Sequence, residues 1–306
     1  MLPDFPFRAW YTKELTTIDQ VIEKLMPDTP SGYYYRGMSD SGFICISSYY
    51  RHYVWNKKDL EWHDVVIDPA RKQSFPNIDE KDYIEKSFLI IERFKSELER
   101  LGSISLLINT LIYLAQHYGL PTNVIDFTLN AKIALYFACE ENPDKDCVVY
   151  ESNIHEHIEQ ILDIYLSGRA GYTRMSEAEL SQWIIDLKTT ISPTGLNLVT
   201  PIIELENVKY NRRIQHQEGV FVYNADVLPY DLPMFNISEM TYHPGRSIYK
   251  IPSSLKSEIL ELLDSKHGIN KDFIYPDNSI DINLDVLNEA VKNTKDYIYE
   301  IFEWCL

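Results

Sequence analysis

Apolar side chains recur along the chain at two spacings, and the switches between them mark the expected elements. Residues 15–26, LTTIDQVIEKLM, carry apolar positions at helical spacing, with Thr17 and Asp19 supplying a start and Pro27 a stop. GYYYRGM, residues 32–38, reads as a strand, because aromatic side chains suit a pleated, half-buried surface. FICISSYYRHYVW, residues 43–55, reads as a second extended or mixed segment, and the polar stretch 56–80 as a loop or insertion. From Asp82 to Tyr118 the pattern is helical. Ile84, Phe88, Ile91 and Phe94 are expected on one face, and a second helix runs through LLINTLIYLAQHYG. Gly119-Leu120-Pro121-Thr122 ends it, since glycine tolerates a left-handed cap and proline cannot continue a helix.

A short apolar strand follows, NVIDFT at 123–128, and leads at once into a helix, LNAKIALYFACEE at 129–141. DCVVYE at 146–151 is another strand, and 153–190 is polar with helical spacing. LVTPIIELE and GVFVYNA read as strands, and SLKSEILELLDSKHGI as a helix capped by Gly268. NLDVLNEAVKNTKDYIYEIF, residues 283–302, is a final amphipathic helix, packed on its own domain or docked on a partner. Strands and helices mix without regular alternation, which points to an α+β fold rather than a doubly wound sheet. No Gly/Ser linker divides the chain, so residues 1–306 read as a single domain with insertions and a core at about 30–277.

Composition changes this picture little, but charge does. Hydrophobic residues make up 45% of the 306, enough for a large core. The net charge of −17 repels phosphate backbones and anionic lipid at long range, so a nucleic-acid partner would need a local basic groove, with Lys209, Arg212 and Arg213 as candidates. The four cysteines, Cys45, Cys139, Cys147 and Cys305, form no CxxC pair and are expected to be free thiols. The N-terminal residues lack the pattern of a secretory signal, and no run is long enough to span a membrane, so a cytoplasmic location is expected.

The chemistry is concentrated in Gln116-His117-Tyr118-Gly119-Leu120-Pro121-Thr122-Asn123-Val124-Ile125-Asp126-Phe127-Thr128. Asp126 lies among apolar neighbours, so its carboxylate is expected to be partly buried and in need of partners. Two roles are open for Asp126 and Thr128: capping the helix that starts near Asn130, or lining a site. Two are also open for His117, as a cation on a helix C-terminus or as a ligand-binding group. His155 and His157 are two residues apart and would face different sides of a helix, which argues against a metal pair. No P-loop, GxGxxG, HExxH or GxSxG motif is present, and no metal is expected.

QHYGLPTNVIDFTLNAKIALYFA resembles the hallmark of the FRG domain family, a QHYGLPTRLLDWT run followed by an ALYFA helix. Tyr35-Arg36-Gly37 and the later Ser47-Ser48-Tyr49-Tyr50-Arg51 resemble the family's strand and following arginine. Arg213-Ile214-Gln215-His216-Gln217-Glu218-Gly219-Val220-Phe221 resembles its R-I-x-x-Q-x-G-x-F stretch, and His267-Gly268-Ile269 through Phe273-Ile274-Tyr275-Pro276-Asp277 its closing signature. Asn123 stands where the family commonly has arginine, and Phe127 where it has tryptophan.

The motif order resembles ADP-ribosyltransferases of the R-S-E type. That resemblance implies a mixed sheet with flanking helices, NAD as substrate, and an intracellular toxin of toxin–antitoxin or anti-phage type. Its target would be RNA by preference, DNA or a protein, and an antitoxin or chaperone is an implied partner. It also implies Arg36, Asp126 and Gln217 or Glu218 as catalytic residues. Tyr35, Arg36, Gly37, His117, Tyr118, Thr122 and Thr128 would then hold the nucleotide, with Tyr34, Tyr118 or Phe127 as stacking aromatics. The contrasting readings are a nucleotide- or RNA-binding module without turnover, and an interaction subunit.

Overall fold

The computed structural model describes residues 12–28, 32–56, 62–68, 71–76, 78–106, 108–152, 199–203, 212–224, 246–276 and 283–303. Its strands are β1 (Thr12–Glu14), β2 (Tyr34–Met38), β3 (Trp62–Asp68), β4 (Arg71–Pro76), β5 (Val124–Thr128), β6 (Cys147–Ser152), β7 (Val199–Ile203), β8 (Gly219–Asn224) and β9 (Arg246–Ile251). Its helices are α1 (Ile18–Leu25), α2 (Ser48–Asn56), α3 (Glu80–Gly102), α4 (Ile108–His117), α5 (Ala131–Cys139), α6 (Arg212–Gln217), α7 (Lys256–His267), α8 (Lys271–Ile274) and α9 (Leu284–Phe302). The fold is α+β, with a seven-stranded mixed sheet in the order β1-β9-β6-β2-β5-β8-β7.

The sheet has a seam. β2 pairs with β6 along its whole length, Tyr34–Met38 against Ser152–Val148. On its other side it registers with β5 through Tyr35 and Thr128 alone. Each side of the seam anchors its own apolar core. Tyr35, Cys147, Val149, Tyr249 and Ile251 join side chains of α1, α5 and α7. Val124 and Phe221 join α2, α3, α4 and α9.

Local signals explain the ends of several elements. Thr17 caps α1, and Gln20 completes the capping box that the sequence reading did not use. Gly268, at φ 64°, ends α7 in the left-handed conformation. Asn130, rather than Asp126, caps α5 by accepting from the Lys132 N–H, while Thr128 Oγ1 accepts from the Asn130 N–H.

Several expectations are corrected. Residues 48–56, most of them read as part of an extended or mixed segment, form helix α2, because Tyr49, Tyr50 and Tyr53 bury one helical face against Tyr83. Ring pairs of this kind contribute about 0.5–1.5 kcal/mol each beyond their burial. Within 56–80, β3 and β4 pair antiparallel; Val65, Val66 and Ile67 favour extended backbone more than the surrounding charges suggest. On α3, Ile91 and Phe94 are buried but Phe88 is 45% exposed. The inner stripe instead runs through Tyr83, Ser87, Ile90, Phe94 and Leu98, and α9 covers this region through Leu287, Ala290, Val291 and Ile298. β1, β9, α6 and α8 were not anticipated. The helical reading of 153–190, including His155 and His157, lies outside the described residues, as do Lys209 and Cys305. Among the described residues, Cys45, Cys139 and Cys147 are buried and in no disulfide.

Lys256 is 2% exposed, and its Nζ donates to the carbonyl oxygens of Ser39, Glu141 and Asn142, each at 2.8 Å. It ties the segment after β2 to the end of α5. Lys256→Met keeps the stem but leaves three carbonyls without this donor, and is expected to cost about 3 kcal/mol. A lower urea midpoint at unchanged m-value would record it.

Candidate functional site

A cavity of about 730 Å³ opens at the seam, lined from β2 by Tyr35, Arg36, Gly37 and Met38 and from β5 by Asp126, Phe127 and Thr128. Helix α2 turns its tyrosines inward, so Arg51 and Trp55, four residues apart, face the cavity together. The Arg51 guanidinium lies 5.9 Å from the Trp55 ring centroid. Trp55 is 62% exposed and Phe43 48%, which places two open aromatic faces at the cavity wall.

The arginines define its electrostatics. Arg36 Nη1 donates to the main-chain oxygen of Asp126 at 2.6 Å, crossing from one side of the seam to the other. Its Nε is buried without a hydrogen-bond partner. Burial and the neighbouring Arg36 charge hold the Arg51 pKa below the ordinary arginine value. Among the described residues neither Arg36 nor Arg51 has a carboxylate ion-pair partner. Guanidiniums placed in this way are suited to charged hydrogen bonds with an anion.

Asp126 is exposed to the cavity rather than partly buried, because β5 meets β2 at one residue pair and leaves this position uncovered. Its carboxylate is nevertheless held. Gln116 Nε2 donates to both carboxylate oxygens at 3.2 Å. The Gln116 Oε1 accepts from Thr122 Oγ1 and, at 3.1 Å, from Ser48 Oγ. Ser48 Oγ in turn accepts from the Thr122 N–H at 3.1 Å. The residues from Gln116 to Asp126 are thus a bracket in which helix end, turn and strand fix one carboxylate.

His117 lines the cavity beside Tyr113, with ring centroids 5.9 Å apart. Burial, aided by the Arg213 charge, lowers its pKa to about 4, so it is neutral at pH 7 and is not a cation on the helix dipole. The unfolded imidazole, near 6.5, binds more protons between these values. Stability is therefore expected to be undiminished above pH 6.5 and to erode as pH falls towards 4. His117→Gln should flatten that slope in urea titrations at stepped pH.

The remaining candidates separate. Gln217 lines the cavity, its Nε2 donating to the Ile274 carbonyl at 3.2 Å, and its own carbonyl accepts from Thr128 Oγ1 at 2.7 Å. Glu218 sits at φ 44°, which turns its side chain to accept from Asn130 Nδ2 at 2.8 Å, outside the cavity lining. Tyr35, Arg36, Gly37, Asp126, Thr128 and His117 are brought together. Thr122 is a buried bracket residue, and Tyr34 and Tyr118 do not line the cavity. Asn123 is buried, accepting from Ser47 Oγ at 2.9 Å and Tyr83 OH at 3.0 Å. Arg51, Tyr113 and Glu140 were given no role from sequence, and Arg213 was expected only in a basic groove. Only Arg51 carried a signal, its place three residues after Ser48 on what proves to be one helical face.

These features define a class: an α+β protein whose split sheet opens a cavity lined by two neighbouring arginines and by the held Asp126 carboxylate. Residues 31–147 match the family model of the FRG domain. The match takes in Arg36, Arg51, Gln116, Asp126 and Glu140; Arg213, Gln217 and Tyr275 lie beyond it. No curated protein and no solved structure gives a significant match.

Proposed function

We propose that this cavity binds NAD and transfers its ADP-ribose, and that the chain acts as an intracellular ADP-ribosyltransferase toxin of the defence type. The carrying observation is the pair Arg36 and Arg51, without a carboxylate ion-pair partner among the described residues, in a cavity that also holds the fixed Asp126 carboxylate. A guanidinium pair suits the pyrophosphate, which it can grip through several charged hydrogen bonds. Phe127 and the open faces of Phe43 and Trp55 suit flat rings. In the reaction the bond between ribose C1′ and the nicotinamide nitrogen breaks. Its electron pair stays on nitrogen, neutralising the ring, and C1′ becomes cationic until an acceptor attacks. A carboxylate beside the ribose stabilises that charge. Gln217 has none to offer and Glu218 is turned to Asn130, so Asp126 takes this role.

The uncharged side chain of Gln217 favours a second reading, nucleotide or RNA binding without turnover. One experiment separates the two: purified protein with labelled NAD and separate pools of RNA, DNA and protein. Label transfer or nicotinamide release supports the transferase, and the labelled pool gives the target class. Saturable binding with neither product supports the binding module.

A further inference from the structure

At another part of the same cavity wall lies a carboxylate that the reading above leaves unused. Glu140 ends α5, where its N–H donates to the Tyr136 carbonyl, and it lines the cavity with Glu141, Arg213 and Gln217. The Tyr275 phenol donates to it, 2.8 Å from Oε1 and 2.9 Å from Oε2. Tyr275 is itself held from the other side, with the Arg213 guanidinium 4.7 Å from its ring centroid. The phenol fixes the carboxylate while leaving lone pairs on both oxygens for a further donor.

Resting on the transferase reading, we infer that Glu140 is the general base that takes the acceptor's proton, with Tyr275 as its positioning residue. As C1′ parts from nicotinamide, a lone pair of the acceptor oxygen or nitrogen forms the new bond to C1′. The acceptor's proton passes to Glu140 and from there to solvent. Asp126 keeps its separate task of countering the sugar's charge, so two carboxylates divide the work. The charged and titratable groups around Glu140 are Tyr136 and Glu141 on its own stretch, Arg213 from α6, and Lys271 and Tyr275 from α8 and its C-cap. Burial raises the Glu140 pKa above its ordinary value; the Tyr275 hydrogen bond lowers it, Glu141 raises it, and Arg213 and Lys271 lower it, the net shift being upward. A carboxyl raised in this way is a better base than an exposed one.

The test follows NAD turnover from pH 4 to 8 in the wild type, Glu140→Gln and Tyr275→Phe, with NAD affinity measured alongside. Glu140→Gln is expected to slow transfer about 100-fold with NAD affinity kept, because a positioned base contributes typically 10²–10⁴-fold. Tyr275→Phe keeps the ring over Arg213 but removes the donor that favours the ionised form. Its acidic limb should therefore move to higher pH. Wild-type rates in Glu140→Gln, or an unmoved limb in Tyr275→Phe, would overturn the assignment and leave the transferase standing. A wild type without turnover would remove both.

Discussion

Alanine at position 37 is expected to cost about 4 kcal/mol, a large part of the stability of an ordinary domain. A Cβ built on Gly37 falls 1.8 Å from the main-chain oxygen of Ala134 and 2.7 Å from the main-chain nitrogen of Ala138. Both contacts are with backbone, so no side chain can swing aside; β2 and α5 would have to separate. That separation would open the core formed by Tyr35, Ala134, Ala138 and Val149. Gly42→Ala is the control, since its nearest neighbour is the movable Asp40 side chain at 3.2 Å. Urea unfolding should show a collapse of the midpoint, or insoluble protein, for Gly37→Ala and a small change for Gly42→Ala. Equal midpoints would mean that the strand and helix do not meet this closely.

Arg36→Ala is expected to weaken NAD binding about 100-fold, to take label transfer below detection, and to leave the fold intact. Each hydrogen bond to a charged group is worth about 1.5–3 kcal/mol, and Arg36 brings to an anion both its charge and a buried, unpartnered Nε. Removing it also relieves the repulsion felt by Arg51, so the unfolding midpoint should hold or rise. Lysine should not restore binding, because a point charge lacks the planar fork that matches paired phosphates. Arg51→Ala should weaken binding by a smaller factor, about tenfold, since Arg36 remains. Calorimetric titration with NAD and with ADP-ribose measures all of these. Wild-type affinity in Arg36→Ala would remove the anion site from this cavity.

The two predictions also explain why Tyr35-Arg36-Gly37 and the ALYFA helix occur together in one chain. Gly37 admits the helix backbone, while Ala134 and Ala138, one turn apart on α5, supply the small faces that approach it. Arg36, between Tyr35 and Gly37, is then free to reach the next strand. A glycine and two alanines are silent in any propensity argument. Their meaning appears only when strand and helix touch.

Much was legible in the sequence because its causes act over a few residues. Thr17 and Pro27 bound α1, Gly119 and Gly268 end helices, and Val124–Thr128 is extended where apolar and β-branched residues favour it. The cluster from Gln116 to Thr128 stood out as a candidate because so many polar groups crowd a short apolar run. The tertiary structure decided what depends on long-range pairing. The single register between Tyr35 and Thr128 splits the sheet and makes the cavity, and no local pattern announces a missing partner. It exposes Asp126, which its apolar neighbours alone would bury. The left-handed backbone at Glu218 and the hydrogen bond to Asn130 place Gln217, rather than Glu218, in the wall. Packing of three tyrosines turns Arg51 towards Arg36, and docking of α8 brings Tyr275 to Glu140. The sequence by itself determined many of the helices and strands and where the polar chemistry is densest, because capping, periodicity and steric preference are local. Which of those polar groups share one cavity was decided by strand order and helix docking, which bring together residues far apart in the chain.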